Sequence, residues 1–134
     1  MVKKVLIVDD EDLILYSLSR ALRKEKRQVN TVATGRDALR QIGHQCYDLC
    51  ILDIGLPDMT GVEVMQAAKI IAPATTIIMM TADEVNDDMR KTIQEQACLF
   101  FTKPFELSQV RSLVNTVLHD EEHSAVYSSP NFFT

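Results

Sequence analysis

The sequence predicts an α/β fold: an open, doubly wound sheet of five parallel strands with helices on both faces. Three observations carry this. Five short apolar runs alternate with five segments of helical periodicity. The first run, Val5 to Val8, is continuous rather than alternating, as in a strand covered on both faces. The length, 134 residues, allows one domain and little else.

The elements follow in order. Val5 to Val8 is the first strand. From Glu11 to Lys26, Ile14, Leu18, Ala21 and Leu22 share one helix face, and the basic run Arg23 to Arg27 reads as a solvated C-terminal end, where cations suit the helix dipole. Gln28 to Ala33 alternates loosely and reads as an edge strand, and Thr34-Gly35 turns the chain into a short helix, Asp37 to Gln45. Leu49 to Leu52 is the third strand, ending at Asp53, and a breaker-rich loop from Gly55 to Gly61 follows. Val62 to Ala72 is the third helix, stopped before Pro73. Thr75 to Met80 is the fourth strand, ending at Thr81. Val85 to Gln96 is a weak helix whose apolar stripe is thin: Val85, Met89, Ile93, Ala97. Cys98 to Phe101 is the fifth strand, ending at Lys103-Pro104, and Leu107 to Leu118 has the best helical periodicity in the chain. The domain spans 1–119, and 120–134 reads as a polar tail or the start of a linker.

Composition narrows the function. Formal net charge is −5, with 14 Lys+Arg against 19 Asp+Glu, which argues against binding nucleic acid or an anionic membrane. No basic recognition helix is present, so no nucleic-acid contact is expected from these residues. No run of 18 apolar residues exists and the N-terminal apolar run is too short for a signal peptide, so the expectation is a soluble, cytoplasmic protein with no membrane partner. Cys46, Cys50 and Cys98 have neither disulfide nor zinc spacing and read as three small buried hydrophobes. His119 and His123, four apart among acids, read as a solvated helix end, and His44 as a surface residue.

In an open α/β sheet, ligands bind outside the carboxyl ends of the strands. Four of the five strands here end in a residue capable of chemistry: Asp9-Asp10, Asp53, Thr81 and Lys103. Asp53 lies 44 residues after Asp9, two βα units on; Thr81 follows after 28 and Lys103 after a further 22, one unit each. Taken singly, each has a bland reading: a helix N-cap, a turn former, an uninformative Thr, a solvated Lys before Pro. Jointly they make a site. Close carboxylates repel, and a hard divalent cation such as Mg²⁺ relieves the repulsion. A Lys adds a compact positive charge, and a Thr hydroxyl donates a hydrogen bond. The set suits phosphoryl transfer, with a carboxylate as nucleophile to give an acyl phosphate.

The chain resembles a response-regulator receiver domain of the chemotaxis-regulator type over residues 3–118. The resemblance rests on Val8-Asp9-Asp10, Asp53 with Leu56-Pro57-Asp58-Met59-Thr60-Gly61, Met80-Thr81-Ala82, and Thr102-Lys103-Pro104-Phe105, in that order. It implies a flavodoxin-like (βα)5 fold with strand order 2-1-3-4-5 and a phosphorylation-driven switch in a two-component phosphorelay. Asp53 resembles the phospho-acceptor and Asp10 the direct Mg²⁺ ligand. Asp9 matches the water-mediated companion and the Gly55 backbone carbonyl the position completing the metal site. Thr81 resembles the hydroxyl that moves onto the phosphoryl group, Lys103 its lysine partner, and Phe100 the aromatic switch. Pro104 resembles the proline often held by a cis peptide bond. Gly55 and Asp83 stand where phosphoryl lifetime is tuned. Phe100 lacks a tyrosine hydroxyl, so its two orientations are expected to differ by packing alone.

The resemblance further implies a sensor histidine kinase, phosphotransfer protein or small phosphodonor upstream, and a downstream protein or C-terminal output domain. It implies a change on the face of the fourth helix, fifth strand and fifth helix, which is also the expected homodimer surface. The family assists its own phosphorylation and dephosphorylation rather than acting as a conventional enzyme. A haloacid-dehalogenase-like phosphatase would need a second Asp where Gly55 stands. A flavin or nucleotide binder would need a glycine-rich phosphate loop, and a degenerate receiver used only for dimerisation would lack the complete acid set.

Overall fold

The computed structural model describes residues 2–81, 85–97 and 99–119. The elements are β1 (Lys3–Val8), α1 (Asp12–Leu22), β2 (Arg27–Val32), α2 (Gly35–His44), β3 (Leu49–Asp53), α3 (Gly61–Ile71), β4 (Thr76–Thr81), α4 (Asp87–Gln96), β5 (Leu99–Thr102) and α5 (Leu107–Val117). All neighbouring strands pair in parallel, in the order β2-β1-β3-β4-β5. The chain therefore winds outward in both directions from β1 and β3, and the carboxyl ends of these two central strands lie side by side.

Strand alternation divides the core between the two faces. Val5, Ile7, Leu49 and Ile51 point toward α1 and α5, where Leu18, Leu22, Val110 and Val114 meet them. Leu6, Val8, Cys50 and Leu52 point toward the other layer, where Ala38, Val64, Met65 and Ile93 meet them. Burial on both faces is why β1 and β3 read as unbroken apolar runs. Edge strand β2 keeps Gln28 and Thr31 exposed. Helix α4 buries Ile93 alone among its described residues, in keeping with its thin stripe.

Capping sets several boundaries that differ from the sequence reading. Helix α2 begins at Gly35, because the Thr34 hydroxyl accepts from the Asp37 N–H at 3.0 Å and draws Gly35 and Arg36 into the first turn. Helix α4 begins at Asp87, with Asn86 as its cap accepting from Met89 N–H at 2.8 Å. Thr60 and Glu63 form a reciprocal capping box at the start of α3.

Three expectations need correction. Helix α1 stops at Leu22, and the basic run is not one solvated helix end. Lys26 takes a left-handed φ of 65° and turns the chain, so Arg27 opens β2 and is buried. Its guanidinium donates to the Leu22 carbonyl at 2.8 Å and the Asn115 side chain at 2.9 Å, joining α1, β2 and α5. The cysteines are not alike: Cys50 is buried, which pushes its thiol up to about 12, whereas Cys46 is exposed beyond the end of α2. The Phe100 ring is not held by apolar packing alone, since the Arg90 guanidinium sits 5.6 Å from its centre. His44 is exposed, as expected. Cys98, His123 and the tail 120–134 lie outside the described residues. Among the described residues, no helix is long and apolar enough to cross a membrane.

Candidate functional site

The site forms where the central strands end. Val8 is the last residue of β1, and burial of that strand carries Asp9 to the sheet edge, fully buried. β3 ends one row over at Asp53, also buried, and Asp10 stands exposed at the mouth. One carboxylate oxygen from each of Asp9, Asp10 and Asp53 lies within 4.8 Å of the others. Lys103, just past β5, reaches back across the edge: its Nζ is 2.7 Å from Asp9, 3.3 Å from Glu11 and 3.4 Å from Asp53. Its backbone N–H donates to the Thr81 carbonyl at 2.8 Å, which fixes the segment beside β4. The Lys103–Pro104 peptide bond is cis. A cleft of about 600 Å³ opens over this cluster, lined by Asp10, Glu11, Asp53, Gly55, Met89 and Lys103.

Electrostatics follow from the crowding. Burial raises the Asp53 carboxyl above its ordinary value and the Asp9 charge raises it further, while Lys103 and the Gly55 N–H draw it back. Burial pulls Lys103 down, but its hydrogen bond to Asp9 and the charges of Asp53 and Asp9 outweigh this, and its pKa ends up raised. The donors are all oxygens and one lysine does not neutralise three converging acids. This set fits a hard divalent cation, which would lower the strain on Asp53.

Thr81 is the last residue of β4, fully buried, and its hydroxyl has no hydrogen-bond partner among the described residues. A buried hydroxyl without a partner is costly, and here it stands at the same sheet edge as Asp53. Phe100, on β5, is buried beneath Arg90. Gly55 follows Asp53 by two residues and lines the same cleft. Asp83 lies outside the described residues.

Two contacts escaped the sequence reading. Glu11 holds Lys103 from 92 residues away, and its backbone N–H donates to Asp9 at 2.9 Å. Asp58, within the breaker-rich loop, accepts from the backbone N–H groups of Gly35 and Arg36 at 2.8 and 2.9 Å. An acid two residues after Asp9 was the only available hint of the first, and nothing local signals the second.

Comparisons with known proteins agree with this geometry. A family model described as "Response regulator receiver domain" matches residues 5–115. The Bacillus subtilis protein "Sporulation initiation phosphotransferase F" is 33% identical over 118 residues, which cover 88% of this chain and 95% of that protein. The Vibrio campbellii "Luminescence regulatory protein LuxO" is 39% identical over 90 residues, 67% of this chain; the match spans about a fifth of that relative's length, 20%. A CheY-like receiver domain protein from Methanospirillum hungatei has a TM-score of 0.82 at 28% identity, covering 90% of this chain and 96% of that one.

Proposed function

The chain belongs to the response-regulator receiver-domain family of two-component signalling, and from that premise we propose that Asp53 is the residue that accepts the phosphoryl group. The observation that carries this is the meeting of Asp53 with Asp9 and Asp10, within 4.8 Å, beside the Lys103 ammonium at 3.4 Å.

An Asp53 carboxylate oxygen attacks the phosphorus of the donor in line. A P–O bond forms, and the donor's P–N or P–O bond breaks, its electron pair leaving with the imidazole of a phosphohistidine or the carboxylate of an acyl phosphate. Lys103 turns part of its charge from Asp9 to the arriving oxygens. Asp10, Asp53 and the Gly55 carbonyl would hold Mg²⁺, with Asp9 as their companion, and the ion when bound would supply the remaining charge neutralisation. The Thr81 hydroxyl donates to a phosphoryl oxygen, which gives that buried group the partner it lacks. Thr81 then draws on β4, and Phe100 and α4 respond, so phosphorylation biases a two-state face formed by α4, β5 and α5. Hydrolysis of the acyl phosphate resets the switch, at a rate set beside Gly55 and Asp83. The chain is thus a phosphorylated switch that assists its own chemistry.

The phosphodonor is a sensor histidine kinase or a phosphotransfer protein, as the similarity to a sporulation phosphotransferase supports. The readout is a downstream protein or a C-terminal output domain, as the partial coverage of a regulator such as LuxO supports, with a homodimer through α4, β5 and α5 as one form of it. The reaction belongs in the cytoplasm, where exposed Cys46 stays reduced.

Intact mass after incubation with acetyl phosphate and Mg²⁺ tests the assignment. The wild type gains one phosphoryl group, about 80 Da, EDTA abolishes the gain, and Asp53→Asn shows none. An equal gain in Asp53→Asn overturns it.

A further inference from the structure

The loop 54–60 between β3 and α3 is fastened at two ends. At one end it closes beside the acceptor: the Gly61 N–H bonds to the Ile54 carbonyl at 2.8 Å, and Gly55 bridges to Thr60 across the loop. Gly61 lies so near the Asp53 carbonyl that a Cβ there would collide with it. At the other end the loop meets α2. Both Asp58 oxygens are engaged, one by the Gly35 N–H at 2.8 Å and one by the Arg36 N–H at 2.9 Å. Met59 packs against Gly35, where any Cβ would strike its side chain. Helix α2 is itself anchored to the sheet by Ala38 and Ile42.

We propose that Asp58 is a positioning residue for phosphorylation: its carboxylate ties loop 54–60 to the N-terminus of α2 and so holds in place the closed loop that carries Gly55 beside Asp53. The proposal deepens the assignment of Asp53 as acceptor and rests on it.

Asp58 is a poor candidate for a mere helix cap. Helix α2 already has its own: Thr34 receives the Asp37 N–H on its hydroxyl and the Ala38 N–H on its carbonyl, both at 3.0 Å. The Arg36 N–H that Asp58 takes is exposed, so water would serve it, whereas the Gly35 N–H belongs to a buried residue packed under Met59. What water does not replace is the tie between segments 22 and 23 residues apart. The carboxyl is also held below its ordinary range by the Gly35 and Arg36 N–H groups, so it is a charged acceptor at neutral pH. A displacement of Gly55 by a fraction of an ångström acts directly on the nucleophile, where positioning counts for large factors in rate.

Two variants separate the roles. Asp58→Ala and Thr34→Ala each remove one capping group from α2, but only the first frees the loop. Phosphorylation is followed by intact mass across an acetyl phosphate series with Mg²⁺, and amide hydrogen exchange is read at Gly61, whose N–H closes the loop onto Ile54. In Asp58→Ala the saturating rate falls about tenfold while half-saturation stays within about twofold, because the loop positions the nucleophile rather than binding the donor. Exchange at Gly61 quickens about tenfold. Asp58→Asn, which keeps an oxygen acceptor, recovers most of the rate, and Thr34→Ala leaves both readings within about twofold of wild type. Equal slowing in Asp58→Ala and Thr34→Ala overturns the proposal, as does Asp58→Ala reacting at the wild-type rate. A wild type that gains no mass overturns the acceptor assignment instead, and Gly61 exchange in Asp58→Ala then decides the tie alone.

Discussion

Removing the Lys103 ammonium, as in Lys103→Met, strands a buried charge. Asp9 has a fully buried side chain and takes its shortest ionic contact from Lys103, at 2.7 Å. At an effective dielectric of about 20, that contact and the 3.4 Å contact to Asp53 amount to gross attractions of roughly 6 and 5 kcal/mol. Desolvation of the lysine offsets much of this, and stripping one partner from a buried pair costs about 3–5 kcal/mol net. The Lys103 side chain keeps 13% of its exposure to solvent, so the expected loss lies at the lower end, about 3–4 kcal/mol. Lys103 is held above its ordinary 10.5, so its contribution is complete at neutral pH and fades only as pH rises through that raised value.

For a domain of this size about 1 kcal/mol moves Tm by roughly 4 °C, so Lys103→Met should melt about 12–16 °C lower by far-ultraviolet circular dichroism in EDTA at pH 7. Adding Asp9→Asn to that background removes the stranded charge and should restore more than half of the loss. A drop below about 4 °C, or no recovery with Asp9→Asn, refutes the reasoning.

Three further outcomes are expected. Arg90→Met loses the cation–π contact with Phe100 and should cost about 0.5–1 kcal/mol, read as a Tm shift of roughly 2–4 °C with a changed Phe100 ring environment by NMR; an unmoved ring signal counts against the contact. Asn115→Leu takes from Arg27 a buried acceptor at 2.9 Å and should cost about 1.5–3 kcal/mol in urea unfolding; a cost under about 0.5 kcal/mol would show that the guanidinium does not need it. Asp58, whose folded pKa lies below its ordinary 3.8, contributes stability that is complete above 3.8 and lost as pH falls through the lower folded value. The Tm gap between wild type and Asp58→Asn should thus stay constant over about pH 5–7 and close below about pH 4; a gap that widens in acid reverses the sign.

Strand ends were readable from sequence because burial on both faces leaves a strand's polar residues only at its end. That put Asp9, Asp53, Thr81 and Lys103 at one edge before any coordinates, and the parallel order β2-β1-β3-β4-β5 brings their strands together. Helix boundaries shifted where a side chain capped, as at Thr34 and Asn86, because a cap moves the first turn by a residue or two. Arg27 was hidden inside a charge run, since its burial depends on Asn115, 88 residues away. Asp58 and Glu11 were hidden for the same reason: each is polar, in a segment expected to be polar, and its partner is set by tertiary packing. Local pattern tells which residues avoid water; it does not tell which exposed acid finds a distant donor.

The strand order also fixes when the site can first exist during synthesis. Lys103 follows β5, the outer strand that pairs only with β4, and it is the last of the site residues to leave the ribosome. A nascent chain that ends after β4 has Asp9, Asp10 and Asp53 in hand and no cation from the protein to balance them. Only docking of β5 supplies it, so the proposed acceptor site is complete only once the last strand of the sheet has paired. Until then three acids stand at the sheet edge without the ammonium that pairs with Asp9.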